Sequence, residues 1–430
     1  MNNMPKTARI NRKGHLEIGG IDVLDLAAKF ETPLYVIDEQ DLRSRCRDYI
    51  NSFKPYPKTK IVFASKALSN IAILRIIGQE GLGADVASGG ELFTALKAGI
   101  KKDMIYFHGN NKPEKELEET ISKGNSKIVV DNFNEIEIIK KICNRLRRKT
   151  SVLVRINPGI EAHTHEFIQT GKIDSKFGIA KEEVIDAVKQ IIKSKRIEFL
   201  GLHAHIGSQI FETRPFAAEA EVLFGLAAEI QKETGKETKE LNIGGGIGVA
   251  YLPDDNPPNI TQYANLIIST VKQQCIKYGL NEPWIILEPG RSIVANAGIT
   301  LYKVGPIKDI KNVRKYVMVD GGMSDNPRPI LYDAKYDFVI ANKARLPKNY
   351  KVTIAGRFCE SGDVLGRDIM VQKAQTNDIM AVMCTGAYNY SMSSNYNRVL
   401  RPAMVLANNK KAKIIIKRET YQDLVRNDRG

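Results

Sequence analysis

A chain of 430 residues with 43% hydrophobic content can bury a sizeable core without staples and is long enough for one large domain plus a second. Its 64 Lys+Arg against 49 Asp+Glu leave a net charge of +15, but the basic residues fall in short amphipathic stretches such as Lys140 to Lys149 and Lys189 to Arg196. No long basic tract interleaved with aromatics is present, so nucleic acid is not an expected partner. The five cysteines are odd in number and never at CxxC spacing, so neither a disulfide framework nor a zinc knuckle is expected. No run is long enough to span a membrane and no secretory core follows MNNMPKTARINRKG, so the expected location is the cytoplasm.

The first thirty-odd residues, HLEIGGIDVLDLA and then TPLYVID, read as strand-like. From about residue 35 to 295 one pattern then repeats: an apolar or β-branched run, a polar or glycine break, and an amphipathic helical stretch. Eight such runs follow one another: IVFASKA, GADVAS, MIYFHG, KIVVDN, SVLVRINP, FLGLHAHIG, ELNIGGG and WIILEPGR. Nearly continuous apolar strands alternating with helices predict a parallel sheet covered on both faces, and eight of them predict a (β/α)8 barrel over residues 36–295. An open doubly wound sheet is the competing architecture. Beyond residue 295 the segments ITLYKVGPIKDI, KYVMVDGG, DFVIAN, KVTIAGRFCESGDVL, DIMAVMCTGAY and KAKIIIKRETYQDLV predict a second, mainly antiparallel and β-barrel-like domain. Residues 1–35 are expected to join 296–430 in it.

In a barrel the polar residues that close the strands gather at one mouth. They include Lys66, Asp85, His108, Asp131, Asn157, His205, the Gly244, Gly245, Gly246 run and Glu288 to Arg291. A lysine closing a buried strand is costly unless paired or neutralised, and desolvation would make it a Schiff-base former. A lysine snorkelling at the strand end is an equal alternative for Lys66. The glycine run can cradle phosphate on backbone N–H groups or serve only as a tight turn. His203 and His205 share one side of their strand, but six histidines without a matching ligand cluster point to packing, and no metal is expected. In the second domain Cys359 lies beside Glu360 in a polar turn. It is a proton donor if held near a reactive carbon and otherwise a small core residue.

Taken in order, FASKA, GADVASGGEL, HAHIGSQ, NIGGG, EPGR, CESGD and GAYNYSMSSNYN resemble the fold-type III pyridoxal-phosphate decarboxylases, the family of the ornithine and arginine decarboxylases, and the match spans nearly the whole chain. The resemblance implies pyridoxal 5'-phosphate as cofactor. Lys66 would hold it covalently, with Asp85 close by, His205 stacked on the pyridine ring and Glu288 paired with the ring nitrogen. The phosphate would rest on Ser208, Gly244, Gly245, Gly246 and the Pro289-Gly290-Arg291 turn, with Tyr388 alongside. Arg291, Arg328, Tyr332, Glu360 and Tyr388 would bind a small amino-acid substrate, the arginines on a distal carboxylate and Glu360 on a distal ammonium. Cys359 would protonate the carbon that loses carbon dioxide, reaching it from the partner subunit, so the resemblance also implies a homodimer with shared active sites.

The segments AHTHEFIQTGKIDSKFGI (Ala162 to Ile179), HIGSQI, NPRPILYDA and CESGDVLG further resemble a branch whose substrate carries an amino-acid group at each end; ornithine-type enzymes differ there. A decarboxylase of another basic amino acid and a non-catalytic cofactor-binding relative are the rival readings. Two places depart from the family pattern: Phe63 stands where a tyrosine is frequent, and Arg398 and Arg401 are placed differently after SSNYN.

Overall fold

The computed structural model describes residues 3–160 and 175–430, so most of the AHTHEFIQTGKIDSKFGI segment lies outside the described residues. Contacts divide the chain into two compact units, one of residues 46–248 and 257–290, the other of residues 1–45, 249–256 and 291–430.

In the first unit all eight expected runs are strands: Thr59–Ala64, Gly83–Val86, Ile105–Phe107, Lys127–Val130, Thr150–Asn157, Ile197–His203, Glu240–Asn242 and Trp284–Leu287. Each pairs in parallel with the next, and the last returns to the first through Ile285↔Thr59 and Leu287↔Ile61, which closes the barrel. The open-sheet alternative is thereby set aside. Alternating side chains fill the interior, with Val62, Tyr106, Val129, Leu153, Leu200 and Ile286 in one cluster from six strands. Burying a side chain of this size is worth roughly 1.5–3 kcal/mol. At the end where the strands begin, Glu240 takes hydrogen bonds from Lys60 Nζ at 2.5 Å and Tyr106 Oη at 2.9 Å.

Helices start immediately beyond several strand ends because the connecting residue is a good N-cap. Asn70, Ser88 and Asn132 accept from the N–H groups of Ile73, Glu91 and Glu135, each cap being worth ~1 kcal/mol. Glu91 and Glu135 reach back to the N–H groups of Ala87 and Asp131, so polar residues at these strand ends are held by local reciprocal bonds.

The second unit is mainly antiparallel. Its long strand Gly298–Ile310 pairs with Leu34–Asp38, Arg314–Val319 and Ile379–Val382, all antiparallel. Leu34–Asp38 also pairs in parallel with Ala403–Asn408, so the N-terminal segment completes this sheet. The core joins Leu34, Val36, Ile299, Leu301, Ala381 and Val405. One expectation fails here: VLDLA is not strand-like but opens the helix Val23–Phe30. Asp22 caps it by accepting from Leu24 N at 3.0 Å, and its buried positions 23, 26 and 27 follow a helical stripe. The unit boundaries near 45/46 and 290/291 lie ten and five residues from the expected 35/36 and 295/296, and residues 249–256 group with the second unit.

Candidate active site

The mouth of the barrel collects side chains that are far apart in sequence. Glu288, at the end of the last strand, accepts a 2.6 Å hydrogen bond from Asn242 Nδ2 on Oε1 and contacts His108 Nε2 at 2.8 Å and His203 Nε2 at 3.2 Å. The two imidazoles meet edge to face with centroids 4.7 Å apart. Burial alone would raise the Glu288 pKa; the facing His108 and His203 more than reverse this and hold it well below the usual carboxylate range. Burial opposes charge on His108 too, yet Asp85, 3.7 Å away, and Glu288 raise its pKa and so favour its charged form between the two carboxylates. Burial pushes His203 down to about 3 despite Glu288, leaving it neutral. Asp85 is pushed up to about 6, first by burial and then by Glu288, with His108 and Lys66 opposing.

His205 lies on the loop after the sixth strand. Its Nδ1 accepts from Gly245 N at 3.3 Å, and burial together with Lys66 and Arg155 keeps its pKa well below the ordinary value. A neutral ring with a defined tautomer follows. That glycine run has no room for side chains: a Cβ at Gly245 would lie 2.1 Å from Glu288 O, and one at Gly244, where φ is +59°, would lie 2.8 Å from His205 Nδ1. The N–H groups of Gly244 and Gly245 donate to Asn242 Oδ1 at 2.9 Å and to His205 Nδ1, so these glycines serve first to bring the backbone of the turn close to its neighbours. Ile210 N donates to Gly246 O and Gly248 N to Ile210 O, stitching the Ser208 loop to the glycine loop. Ala64 N donates to Pro289 O at 3.1 Å, which ties the Glu288-Pro289-Gly290 turn to the strand that leads into Lys66.

Lys66 sits in the 3-10 turn Ser65–Ala67 directly after the first strand. It is exposed between buried Ser65 and Ala67, so of the two alternatives for this lysine the structure matches the one at the solvent-facing strand end rather than the desolvated one. Sequence reasoning placed Asp85, Glu288, His205 and Lys66 at one mouth, and their mutual electrostatic influence is consistent with that. It did not find the clamp of His108, His203 and Asn242 on Glu288, nor Arg155, whose guanidinium lies 4.4 Å from the Phe177 ring centre. The donor atoms of His108, His203 and Glu288 lie within 4.8 Å of one another, a grouping the expectation of no ligand cluster had not anticipated. Ion pairing and hydrogen bonding account for it.

The second unit holds a different cluster. Arg291 Nη1 and Arg328 Nη1 both donate to the Tyr251 hydroxyl, at 2.5 and 2.8 Å, and Arg328 Nη1 donates also to Tyr336 Oη at 2.8 Å. Tyr388 lies under Arg291 at 4.8 Å and near Arg328 at 6.0 Å, and Tyr332 is 5.9 Å from Arg328. Both arginines are buried. Arg328 is raised above its ordinary pKa by Tyr251 and Tyr336, which overcome the opposing burial, and among the described residues no carboxylate faces it. Arg291, Arg328, Tyr332 and Tyr388 therefore lie together in this unit. Cys359 and Glu360 are exposed on a turn, where Cys359 N donates to Asn397 Oδ1 at 3.0 Å and Glu360 accepts from Gly362 N. Asp363 builds that turn by accepting from Met323 N and Phe358 N.

A model of the pyridoxal-dependent decarboxylases, describing their pyridoxal-binding domain, matches residues 39–295. The chain belongs to the pyridoxal-dependent decarboxylases. Among relatives of this decarboxylase, the diaminopimelate decarboxylase of Bacillus methanolicus is 48% identical over 416 residues, with 96% of each chain covered. That of Bacillus subtilis is 47% identical, covering 98% of this chain and 97% of its own. The M. jannaschii diaminopimelate decarboxylase in co-complex with L-lysine superposes with a TM-score of 0.93 at 37% identity, covering 99% of this chain and 98% of that one.

The residues fit the family's cofactor. A carboxylate kept ionised suits a protonated pyridine, a neutral imidazole suits its ring face, and a glycine turn without room for Cβ atoms lets a phosphate come close to the backbone.

Proposed function

We propose that this decarboxylase removes carbon dioxide from meso-2,6-diaminopimelate and releases L-lysine, the last step of lysine biosynthesis. The observation that carries the substrate assignment is the pair Arg291 and Arg328, buried against tyrosine rings, with phenols rather than carboxylates around Arg328. A guanidinium buried without a counter-ion is expensive, and a substrate carboxylate meets it with a fork of matching geometry.

Pyridoxal 5'-phosphate, when bound, supplies the electron sink for the pair released with carbon dioxide. Lys66 would hold the cofactor, Glu288 would keep its ring nitrogen protonated, and His205 would flank the ring face. Asp85 would lie close by. Ser208, Gly244, Gly245, Gly246 and the Pro289-Gly290-Arg291 turn would cradle the phosphate, with Tyr388 beside them. Arg291, Arg328 and Tyr332 would hold the distal carboxylate and Glu360 the distal ammonium. Cys359 would return a proton to the carbon that lost carbon dioxide.

The exposure of Cys359 and Glu360 favours their use by a second copy of the chain, so we infer a homodimer with each site completed in trans. Five free cysteines, four of them buried, suit a reducing cytoplasm. Among the described residues no helix is long and apolar enough to cross a membrane. The test is carbon dioxide release from meso-diaminopimelate with the product identified as L-lysine. Stoichiometric L-lysine that disappears in Lys66→Ala supports the reading; release from L-ornithine but not diaminopimelate overturns it.

A further inference from the structure

Residues 249–256 leave the barrel unit after the glycine run and group with the second unit, and they carry Tyr251. That segment is pinned. Tyr251 N and Leu252 N both donate to Asp255 Oδ2 at 2.9 Å, Asn296 Nδ2 donates to Ala250 O at 2.8 Å, and Asn3 Nδ2 to Tyr251 O at 3.3 Å. The Tyr251 ring packs edge to face on Tyr336 with centroids 5.2 Å apart, and the residue is 7% exposed.

A phenol oxygen has two lone pairs and one hydrogen. Arg291 Nη1 and Arg328 Nη1 occupy both lone pairs of Tyr251. The two hydrogens of Arg328 Nη1 are in turn consumed by Tyr251 and Tyr336, which leaves Nη2 and Nε without a hydrogen-bond partner among the described residues. Two cations thus share one neutral oxygen whose own hydrogen is undirected by any described acceptor.

We propose that Tyr251 is a specificity-determining residue: its oxygen holds Arg291 and Arg328 in one register, and its O–H is the third donor to the carboxylate they bind. This rests on the assignment of the arginine pair to the distal carboxylate. Ligands that keep this carboxylate, diaminopimelate and L-lysine, depend on Tyr251, and 1,5-diaminopentane, which has none, does not.

Tyr251→Phe removes only the hydroxyl and keeps the ring that packs on Tyr336. Losing a hydrogen bond to charged groups corresponds to a rise on the order of tenfold to a hundredfold in KM for diaminopimelate. The fall in kcat is smaller than the rise in KM. L-Lysine binding to the holoenzyme, followed by calorimetry, weakens in parallel while 1,5-diaminopentane binding stays within about twofold. Tyr336→Phe, whose lost hydroxyl meets Arg328 and Asn389 but accepts nothing from Arg291, gives a smaller rise, and the thermal midpoint of each variant confirms folding. Native activity on diaminopimelate with KM and L-lysine affinity unchanged in folded Tyr251→Phe overturns the inference while leaving the enzyme's function standing. Equal weakening of all three ligands also overturns it, since that is a general loss of structure. No native activity on diaminopimelate would instead remove the substrate assignment beneath it.

Discussion

At the barrel mouth the buried carboxylate of Glu288 has counter-groups: it faces His108 and His203, and His108 faces Asp85 as well. In the second unit Arg291 and Arg328 rest on phenol hydroxyls and aromatic faces, and no described carboxylate answers Arg328. The contrast separates two tasks. A balanced cluster keeps one carboxylate ionised at low cost and does not depend on what enters, as a resident cofactor requires. An unbalanced cluster gains its counter-charge only from the right ligand, and so rejects ligands that lack it.

The largest expected effect comes from breaking the balanced side. Glu288→Gln keeps the shape and removes the charge, and kcat/KM should fall on the order of 10²–10³-fold, the scale of one lost preorganised electrostatic group. A loss within tenfold would show that the ionised carboxylate is not the purpose of the clamp. Next in size, Arg328→Lys keeps the charge and loses the fork. KM for diaminopimelate should rise roughly 10–100-fold with a smaller change in kcat, as measured by steady-state kinetics. His108→Asn removes the imidazolium between Asp85 and Glu288, so one of the two carboxylates takes up a proton. The acidic limb of the kcat/KM profile should move to higher pH, with a drop at its plateau of about tenfold.

The smallest effect is on stability. The Asp85 pKa is raised in the folded state to about 6, so its contribution is fully present below the ordinary value near 3.8 and is lost as pH rises through about 6. Glu288 runs the other way: its lowered pKa gives stability present above its ordinary value near 4.5 and lost as pH falls below it. Denaturant midpoints of Asp85→Asn, measured across pH 4 to 7, should therefore lack the wild type's loss over that interval.

What could be read from the sequence was what local pattern encodes. Eight apolar runs with polar ends located the barrel strands, and ordered motifs located Lys66, Asp85, His205, the glycine run and Glu288. The clamp on Glu288 escaped because His108, His203 and Asn242 lie 180, 85 and 46 positions from it, and only closure of the barrel brings them together. Tyr251 escaped for a related reason. It follows a glycine run that reads as a phosphate turn, and nothing local signals that its hydroxyl meets two arginines. The choice between a desolvated and an exposed Lys66 stayed open in the sequence because a one-turn 3-10 segment at the strand end is invisible to apolar periodicity. Val23–Phe30 was misread because a short helix beginning at Asp22 resembles the alternation of a strand.

D-Lysine is meso-diaminopimelate without its distal carboxylate, with the same D-configured reacting centre, so it isolates what the arginine cluster contributes. The most direct test is the ratio of kcat/KM for diaminopimelate to that for D-lysine on the native holoenzyme. A site whose Arg328 is left facing only phenols should disfavour D-lysine by about 10⁴-fold. A ratio near one would contradict the account, because the buried arginine pair would then not be selecting for the carboxylate.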